Sequence, residues 1–330
     1  MSAVVLAKGE RVKKFDICLV NSMSKPAIMK IKFLLIFIFS TSVVVHGQKT
    51  IQERLGYSRE VKLLIIHGDD LGVSHSQNAA SIAALEKGPV NSGSIMVPCP
   101  WFPEIAAYAK AHPGIDLGLH LTITSEWKYY KWKPVMGEQV KSLLTSDGFL
   151  TDGSVNLGQT AKVEEVEKEL RAQIDRAIQF GIDPTHLDSH MGMLFQSAAL
   201  VNTYIKLGRE YKIPVLLNNE IVKAFNVQIT ERDVVLDKVI TAQPPDFKGG
   251  MKAYYTNVLN SLSPGVTCLL IHLAYDDAEM KAVTVDHPDW GAAWRQADFD
   301  FFTSDECKKI LKDQKIQVVT WKELRDKLVR

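Results

Sequence analysis

The chain has 330 residues, of which 46% are hydrophobic and 23% are charged. Its 39 Lys and Arg residues nearly balance its 38 Asp and Glu residues, so the formal net charge is +1. This size and composition allow a sizeable core in a single domain. The near-neutral balance argues against a nucleic-acid partner, which selects for basic surfaces. A small molecule or a neutral polymer fits the composition better.

The N-terminal 47 residues have the pattern of a targeting segment rather than of a folded domain. An apolar run at 33–45 follows two lysines and precedes small residues, which together describe a secretory signal peptide. The run is too short to span a bilayer comfortably, although an uncleaved membrane anchor is the alternative. The sequence therefore predicts export, cleavage before Gln48 and no stable membrane insertion of the mature chain. Residues 1–28 make a long leader, so we consider Met29 as an alternative translation start.

After the leader, short apolar runs alternate with segments of helical periodicity. The apolar runs predict strands at 61–67, 92–97, 115–121, 185–190, 213–217, 266–273 and 316–320. The periodic segments predict helices at 78–87, 102–111, 163–180, 198–211, 253–262, 305–313 and 321–328. Irregular segments are expected at 124–160, 221–250 and 277–290.

Strand and helix alternate about seven times in this pattern, which favours a single (β/α) barrel or a doubly wound sheet. Near-continuous apolar strands fit a parallel sheet that is covered on both faces. No repeat, linker or low-complexity segment is visible after residue 48. We therefore predict that residues 48–330 form one α/β domain.

The cysteines carry no metal-binding pattern. Cys99, Cys268 and Cys307 remain after the predicted cleavage and are widely spaced along the chain. We interpret them as packing residues. One disulfide is the alternative in an oxidising compartment.

Two adjacent carboxylates, Asp69 and Asp70, follow the first predicted strand. Successive residues point in different directions, so one carboxylate can bind a metal ion while its neighbour handles a proton. The alternative is an ordinary strand-to-helix turn, in which an aspartate caps the helix and Gly72 relaxes the backbone.

Histidines lie at the ends of three other predicted strands. His120 and His272 each end an apolar strand, a position that a hydrogen-bonded core histidine can equally occupy. His186, Asp188 and His190 alternate along one strand and therefore share one face. Three polar side chains on one face of a buried strand need partners, unless that strand is an exposed edge.

Taken together, these residues predict a metal site. Asp70, His120 and His190 each lie near the C-terminal end of a predicted parallel strand. Barrels and doubly wound sheets carry their active sites at that end. Two histidines and one carboxylate, with other positions open, are typical of a catalytic metal site.

The motifs resemble those of the YdjC-like carbohydrate deacetylases, a family that includes the chitooligosaccharide deacetylases. The motifs match those of the family in residue identity, in order and in spacing, from about residue 63 to residue 324. The family is related in fold to the NodB-type polysaccharide deacetylases. The matching segments are HGDDLG (67–72), EKGPVNSGSIMV (86–97), GLHL (118–121), KPV (133–135), SLLTSDGFL (142–150), PTHLDSH (184–190) and LIHL (270–273).

The resemblance implies a distorted (β/α) barrel that binds one divalent metal ion and acts on an N-acetylated sugar. The implied metal ligands are Asp70, His120 and His190. Two imidazoles favour zinc or another transition metal. Relatives are often assigned magnesium, which prefers oxygen ligands. Homodimers are common among relatives, which makes a homodimer an expectation here.

The resemblance also implies the proton-transfer groups of a hydrolase that removes an N-acetyl group. Asp69 takes the position of the general base, and His272 takes that of the general acid. Arg295 matches an arginine that orients the base in many relatives. We further expect Trp127, Trp132 and Asp188 to contact the sugar, with ordinary loop packing as the alternative for the two tryptophans.

Three departures from the family pattern bear on the substrate. His67 stands before the Asp pair, where relatives often have Ala or Asn close by. Met191 and the residues after it replace further histidines, and Leu273 and Ala274 replace a Pro-Gly pair. These changes leave two alternatives open. One is a metal-dependent hydrolase of a non-sugar amide or ester, and the other is a non-catalytic carbohydrate-binding protein.

Overall fold

The computed structural model describes residues 49–330, which fold around a curled parallel sheet. The predicted signal peptide and the alternative start at Met29 lie outside the described residues. The strands are β1 (Lys62–Leu71), β2 (Ser92–Ile95), β3 (Leu117–Leu121), β4 (Leu187–Ser189), β5 (Leu217–Asn218), β6 (Val235–Leu236), β7 (Lys238–Thr241), β8 (Gly265–His272) and β9 (Gln317–Val318).

Thirteen α-helices connect and cover these strands within the described residues, together with 3-10 segments at Gly137–Leu143 and His190–Phe195. The helices are α1 (Ile51–Leu55), α2 (His75–Lys87), α3 (Phe102–Ala111), α4 (Leu157–Thr160), α5 (Val163–Gln179), α6 (Ala198–Tyr211), α7 (Asn219–Ala224), α8 (Pro244–Gly249), α9 (Met251–Asn260), α10 (Ala278–Val283), α11 (Ala292–Phe302), α12 (Asp305–Asp313) and α13 (Trp321–Leu328).

The sheet has the order β4-β3-β2-β1-β8-β7, and β9 pairs with the first half of β1. Every recorded pair of strands in the sheet is parallel. A bridge between Leu187 and Val215 connects β4 to the segment that leads into the small β5–β6 pair. The expected distorted (β/α) barrel is confirmed.

Strand β1 shows how the barrel places polar groups inside. Leu64 and Ile66 pack outward against a cluster that includes residues of α9 and α11. Leu63 and Ile65 belong to a second cluster, with Trp321 and residues of β8. Alternate residues of a strand share one face. His67 and Asp69 therefore point to the same side of β1 as Leu63 and Ile65, towards the inside of the barrel.

Several predicted elements need correction. The segment 277–290 contains α10, which begins after Asp277, whose side chain accepts a hydrogen bond from the backbone N–H of Met280. Helix α11 is an addition to the predicted elements, because buried Arg295 and Asp298 interrupt its apolar face and hide the helical period. The segment 221–250 contains the short β6 and β7 as well as α7 and α8. Strand β4 has three residues instead of six, since the chain turns into a 3-10 segment at His190.

The three cysteines of the described residues are free and buried, which confirms their interpretation as packing residues. In the same part of the chain, none of the helices has the length and hydropathy needed to cross a membrane.

Candidate functional site

The carboxyl ends of four strands bring the predicted site residues together. Asp69 on β1 pairs in register with His272 on β8, and His120 on β3 pairs with Asp188 on β4. His190 follows β4 by one residue. Parallel strands end at the same rim of a barrel, so side chains far apart in the sequence converge there.

Asp70, His120 and His190 form a group that can hold a metal ion. Their candidate ligand atoms lie within 4.8 Å of one another, and all three residues are buried. Asp70 Oδ1 is 3.4 Å from His120 Nε2 and 3.4 Å from His190 Nδ1. It has no hydrogen-bond partner among the described residues. A buried carboxylate oxygen without a partner is costly, and a cation between these atoms would satisfy it.

The backbone at Asp70 is in the left-handed region, with a φ of 68°. Aspartate tolerates this region better than most residues, and such conformations concentrate at functional sites. The turn directs the side chain of Asp70 away from that of Asp69, so the adjacent carboxylates reach different partners.

Two other groups of potential metal ligands lie nearby, and one of them shares His120 with the first, but each includes a residue whose ligand atoms are already hydrogen-bonded. His67 Nδ1 is 2.9 Å from Ser92 Oγ, and His67 Nε2 is 2.9 Å from Asp188 Oδ2. His67 therefore has no free nitrogen for an ion in the group that it forms with His186 and Asp188. Asp188 also lacks a free oxygen, which argues against the group of Asp69, His120 and Asp188.

Arg295 reaches the site from α11, although it does not contact the predicted partner. Its Nη2 donates to Asp70 Oδ2 at 2.7 Å, and its Nη1 donates to Gln77 Oε1 at 2.7 Å. Burial raises the pKa of Asp70, but Arg295 and the nearby imidazoles outweigh it and hold this pKa well below its usual value. The prediction that Arg295 orients the base is corrected: it orients the ligand Asp70, and it reaches Asp69 only through Gln77, which donates to the Asp69 carbonyl at 2.8 Å.

Each histidine of this group has a carboxylate at its other ring nitrogen. Asp188 Oδ1 lies 2.7 Å from His120 Nδ1, and Glu126 Oε2 lies 2.9 Å from His190 Nε2. Such partners fix the tautomer and orientation of a ligating imidazole. Asp188 is buried and both of its oxygens bond to histidines, which leaves neither oxygen for the predicted contact with a sugar. Sequence reasoning missed Glu126, because it stands in the irregular segment 124–160 and follows no strand.

The two carboxylate oxygens of Asp69 have different surroundings. Its Oδ1 is 3.0 Å from His67 Nε2, and its Oδ2 is 3.9 Å from His272 Nε2. Burial lowers the pKa of His67, but Asp188 and Asp69 outweigh this effect and raise it to about 9. The position of the His67 ring between two carboxylates therefore favours its protonated form.

His272 is the least buried of the predicted site residues on the strands, with 16% of its side chain exposed. Its Nε2 also lies 3.9 Å from Asp70 Oδ2, and its backbone N–H donates to Asp298 Oδ2 at 2.9 Å. Burial lowers the pKa of His272, and Arg295 adds to that effect, while Asp70 opposes it. The lowered pKa favours the neutral form of this ring, which lies at the edge of the site.

The predicted sugar-stacking tryptophans are packed inside. Trp127 and Trp132 are each only 2% exposed and belong to the hydrophobic core. The Arg295 guanidinium lies 5.5 Å from the Trp127 ring centroid, and the Trp132 ring is 6.4 Å from that of His190. Both rings support site residues and leave no open face for a sugar.

A cleft of about 660 Å³ opens beside the site. Glu126, the partner of His190, forms part of its wall. The Thr151 hydroxyl, also in the wall, is buried and has no hydrogen-bond partner within residues 49–330. The other walls include Lys131, Asp152, Asp286 and His287.

Comparisons with known proteins agree with this arrangement. A family model described as YdjC-like protein matches residues 63–313. A carbohydrate deacetylase of Thermus thermophilus is 32% identical over 288 residues, which cover 84% of this chain and 98% of that protein. A carbohydrate deacetylase of Brevibacillus brevis is 30% identical and covers 79% of this chain and 99% of its own length.

A crystal structure of a candidate cellobiose-phosphate cleavage protein from Enterococcus faecalis has the same fold. Its TM-score is 0.67 at 23% identity, over 80% of this chain and 99% of that one. The family match spans most of the described residues and includes the whole rim with its carboxylates and histidines. This chain belongs to the YdjC-like protein family.

Proposed function

We propose that this protein is a metal-dependent carbohydrate deacetylase, which hydrolyses the N-acetyl group of a mono- or oligosaccharide. The observation that carries the proposal is the unpartnered Oδ1 of Asp70 between His120 and His190, with the carboxylate of Asp69 beside it. The names of the two bacterial relatives supply the substrate class.

A divalent ion held by Asp70, His120 and His190 would supply the positive charge that polarises an acyl oxygen and acidifies water. Two nitrogen donors and one oxygen donor fit zinc or a similar transition ion better than magnesium. The site leaves further coordination positions open, as a catalytic site requires.

Asp69 and His272 would carry out the proton transfers of the reaction. Asp69 Oδ2 would accept a proton from the water whose oxygen attacks the amide carbon. The C–N bond then breaks, and the amine nitrogen must gain a proton to leave. His272 lies 3.9 Å from Asp69 Oδ2 and can pass that proton to the nitrogen. Acetate and the amine are the products, and the protons balance.

The cleft beside the site supports a saccharide as the substrate. Its walls combine lysine, aspartate and threonine side chains, which suit hydroxyl groups better than an apolar acyl chain. Because Glu126 belongs both to the cleft and to the support of His190, a sugar in the cleft would lie next to the reacting atoms. A disaccharide should therefore bind better than the corresponding monosaccharide.

The direct test measures acetate released from N,N′-diacetylchitobiose and from N-acetylglucosamine, with and without a chelator. We expect release that the chelator abolishes and that zinc or magnesium restores. Asp69→Asn should lower kcat by about 10³-fold, since the base is removed. Asp116→Asn is the matched control, because Asp116 is equally buried but bonds to Thr185 away from the site.

Two outcomes would contradict the proposal. Cleavage of simple esters or non-sugar amides, without cleavage of acetylated sugars, would replace the substrate class. Stoichiometric sugar binding in calorimetry, without acetate release from a metal-loaded protein, would indicate a binding protein.

We also propose that the chain is exported, on the basis of the apolar run at 33–45. Expression of the full chain in a bacterium with a Sec pathway should yield an extracytoplasmic protein that starts at Gln48. N-terminal sequencing of that protein checks the cleavage site. A cytoplasmic protein that retains residue 29 would contradict the proposal.

A further inference from the structure

His67 lies at the centre of a buried polar cluster inside the barrel. It is fully buried on β1, two residues before Asp69 on the same face of the strand. Its Nε2 is 3.0 Å from Asp69 Oδ1 and 2.9 Å from Asp188 Oδ2. Its Nδ1 is 2.9 Å from Ser92 Oγ. One ring thus joins the predicted base to the carboxylate that orients His120.

The chemistry of the two carboxylates defines the state of the ring. Ionised carboxylates only accept hydrogen bonds, and two of them facing each other in a buried site repel. His67 Nε2 can donate its proton to Asp188 Oδ2, with Ser94 Oγ 3.1 Å from the same nitrogen. A charged ring also attracts Asp69 Oδ1, which lies 3.0 Å from Nε2, and so offsets the repulsion between the two carboxylates. Ser92 then accepts the second ring proton from Nδ1.

The contact with His67 also distinguishes the two oxygens of Asp69. Oδ1 is occupied by His67, and Ser94 Oγ lies 3.5 Å from it. Oδ2 faces His272 at 3.9 Å and the open side of the rim. A carboxylate held at one oxygen presents its other oxygen in a fixed direction, which is what proton transfer requires.

We propose that His67 is a positioning residue that holds Asp69 by Oδ1, leaves Oδ2 as the proton acceptor, and fixes Asp188 behind His120. The inference rests on the proposed hydrolytic function for its kinetic consequence, although the hydrogen bonds themselves do not depend on it.

The kinetic test compares His67→Leu, which removes the clamp at similar volume, with His67→Gln, which keeps a donor near Nε2. In the metal-loaded full chain, we expect the leucine variant to lose about 100-fold in kcat. KM for N,N′-diacetylchitobiose should change less than about threefold, because His67 does not reach the cleft. The glutamine variant should recover at least about tenfold of the lost kcat.

His186→Leu is the matched control. His186 is equally buried and touches the His67 ring edge-on, but it stacks on Trp321 and bonds to Thr185 rather than to Asp69 or Asp188. It should lower the melting temperature as much as His67→Leu while kcat stays within about threefold. An equal loss of kcat in both variants, or an unchanged kcat in His67→Leu, would overturn the proposal.

An NMR experiment on the zinc-loaded protein tests the clamp without relying on activity. A hydrogen-bonded imidazole N–H inside the barrel should give a proton resonance downfield of the amides at neutral pH. It should disappear in His67→Gln and shift in both Asp69→Asn and Asp188→Asn. A protein with this resonance but no deacetylase activity would refute the proposed function and retain the clamp. Absence of the resonance, or no shift in either aspartate variant, would refute the clamp whatever the activity.

Discussion

The two ligand histidines are supported in different ways. His120 lies on β3, and its carboxylate partner Asp188 lies on the neighbouring β4, where His67 also holds it. His190 lies just beyond β4, and its partner Glu126 belongs to an irregular segment that also forms the wall of a cleft. Asp188 is 4% exposed at its side chain, whereas Glu126 is 12% exposed.

This difference separates a fixed half of the site from an adjustable half. Strand neighbours in register hold side chains within narrow limits, while loop residues move more readily. The His120 side would therefore fix the position of the proposed metal ion, and the His190 side would respond to what occupies the cleft. Four substitutions test this division and its surroundings, in order of decreasing expected effect.

The largest effect should follow Asp70→Asn, which removes the charge shared by both halves. We expect loss of stoichiometric zinc binding in calorimetry and a fall in kcat of roughly 10³-fold or more. Asp277→Asn, at the start of α10, provides a control outside the site. Retained zinc binding with normal activity would show that the ligand set is wrong.

The fixed half is tested by Asp188→Asn. The amide keeps the shape but removes the charge that holds both His120 and His67. We expect zinc affinity to fall by about 10- to 100-fold, as for other partners of ligating histidines. A change in zinc affinity below about twofold would show that Asp188 does not hold His120 in place, and would contradict a fixed half of the site.

The adjustable half is tested by Glu126→Gln, which should have a smaller effect on zinc affinity, about tenfold or less. Water can reach this side and replace part of the lost hydrogen bond, because Glu126 lies in the cleft wall. The effect on KM for the disaccharide should exceed the effect on KM for the monosaccharide. Equal losses of zinc affinity in Asp188→Asn and Glu126→Gln would show that the two halves do not differ.

The smallest effect on the site itself should come from a substitution behind it, at Asp298, whose consequence is for the stability of the fold. Burial raises the pKa of Asp298 to about 7, against the favourable contacts of its carboxylate with the His272 backbone, Tyr255 and Arg295. The folded chain therefore keeps a proton that the unfolded chain loses above about pH 4. The stabilising contribution is complete below about pH 4, decreases as pH rises, and is lost above about pH 7.

Asp298→Asn should remove this dependence. The free energy of unfolding of the variant relative to wild type, measured by denaturant titration, should rise between about pH 4 and pH 7, with a limit on the order of 4 kcal/mol. Asp300→Asn, exposed on the same helix, serves as the control. A difference that stays constant across this range would contradict a raised pKa at Asp298.

The residues at the rim of the barrel could be predicted from the sequence, because each polar side chain stands directly at the end of an apolar run that is recognisable as a strand. Asp70, His120 and His190 each follow an apolar strand, and parallel strands end together. Residues that reach the site from elsewhere gave no such signal. Glu126 stands in an irregular segment, and Arg295 lies on a helix whose apolar face it interrupts. Their partners depend on tertiary contacts, so Arg295 was paired with the wrong aspartate.

Burial was the other quantity that local sequence could not supply. Trp127 and Trp132 stand among polar residues, which is typical of an exposed loop, yet both rings are enclosed. Asp188 alternates with the histidines on its strand, but the pattern could not show that both of its oxygens are already bonded. The local sequence around His67 does not indicate the positioning role proposed for it. That role depends on contacts with Asp69 on β1, Ser92 on β2 and Asp188 on β4.

The three buried free cysteines can report local unfolding of the barrel, because a thiol reagent reaches each of them only when the surrounding structure opens. Cys99 lies near the start of α3, Cys268 inside the barrel on β8, and Cys307 on the buried face of α12. Burial raises the pKa of each thiol, so none reacts readily while the chain is closed. Folding requires neither an oxidant nor disulfide exchange for these residues. The order in which a thiol reagent labels them would record which layer of the barrel separates first.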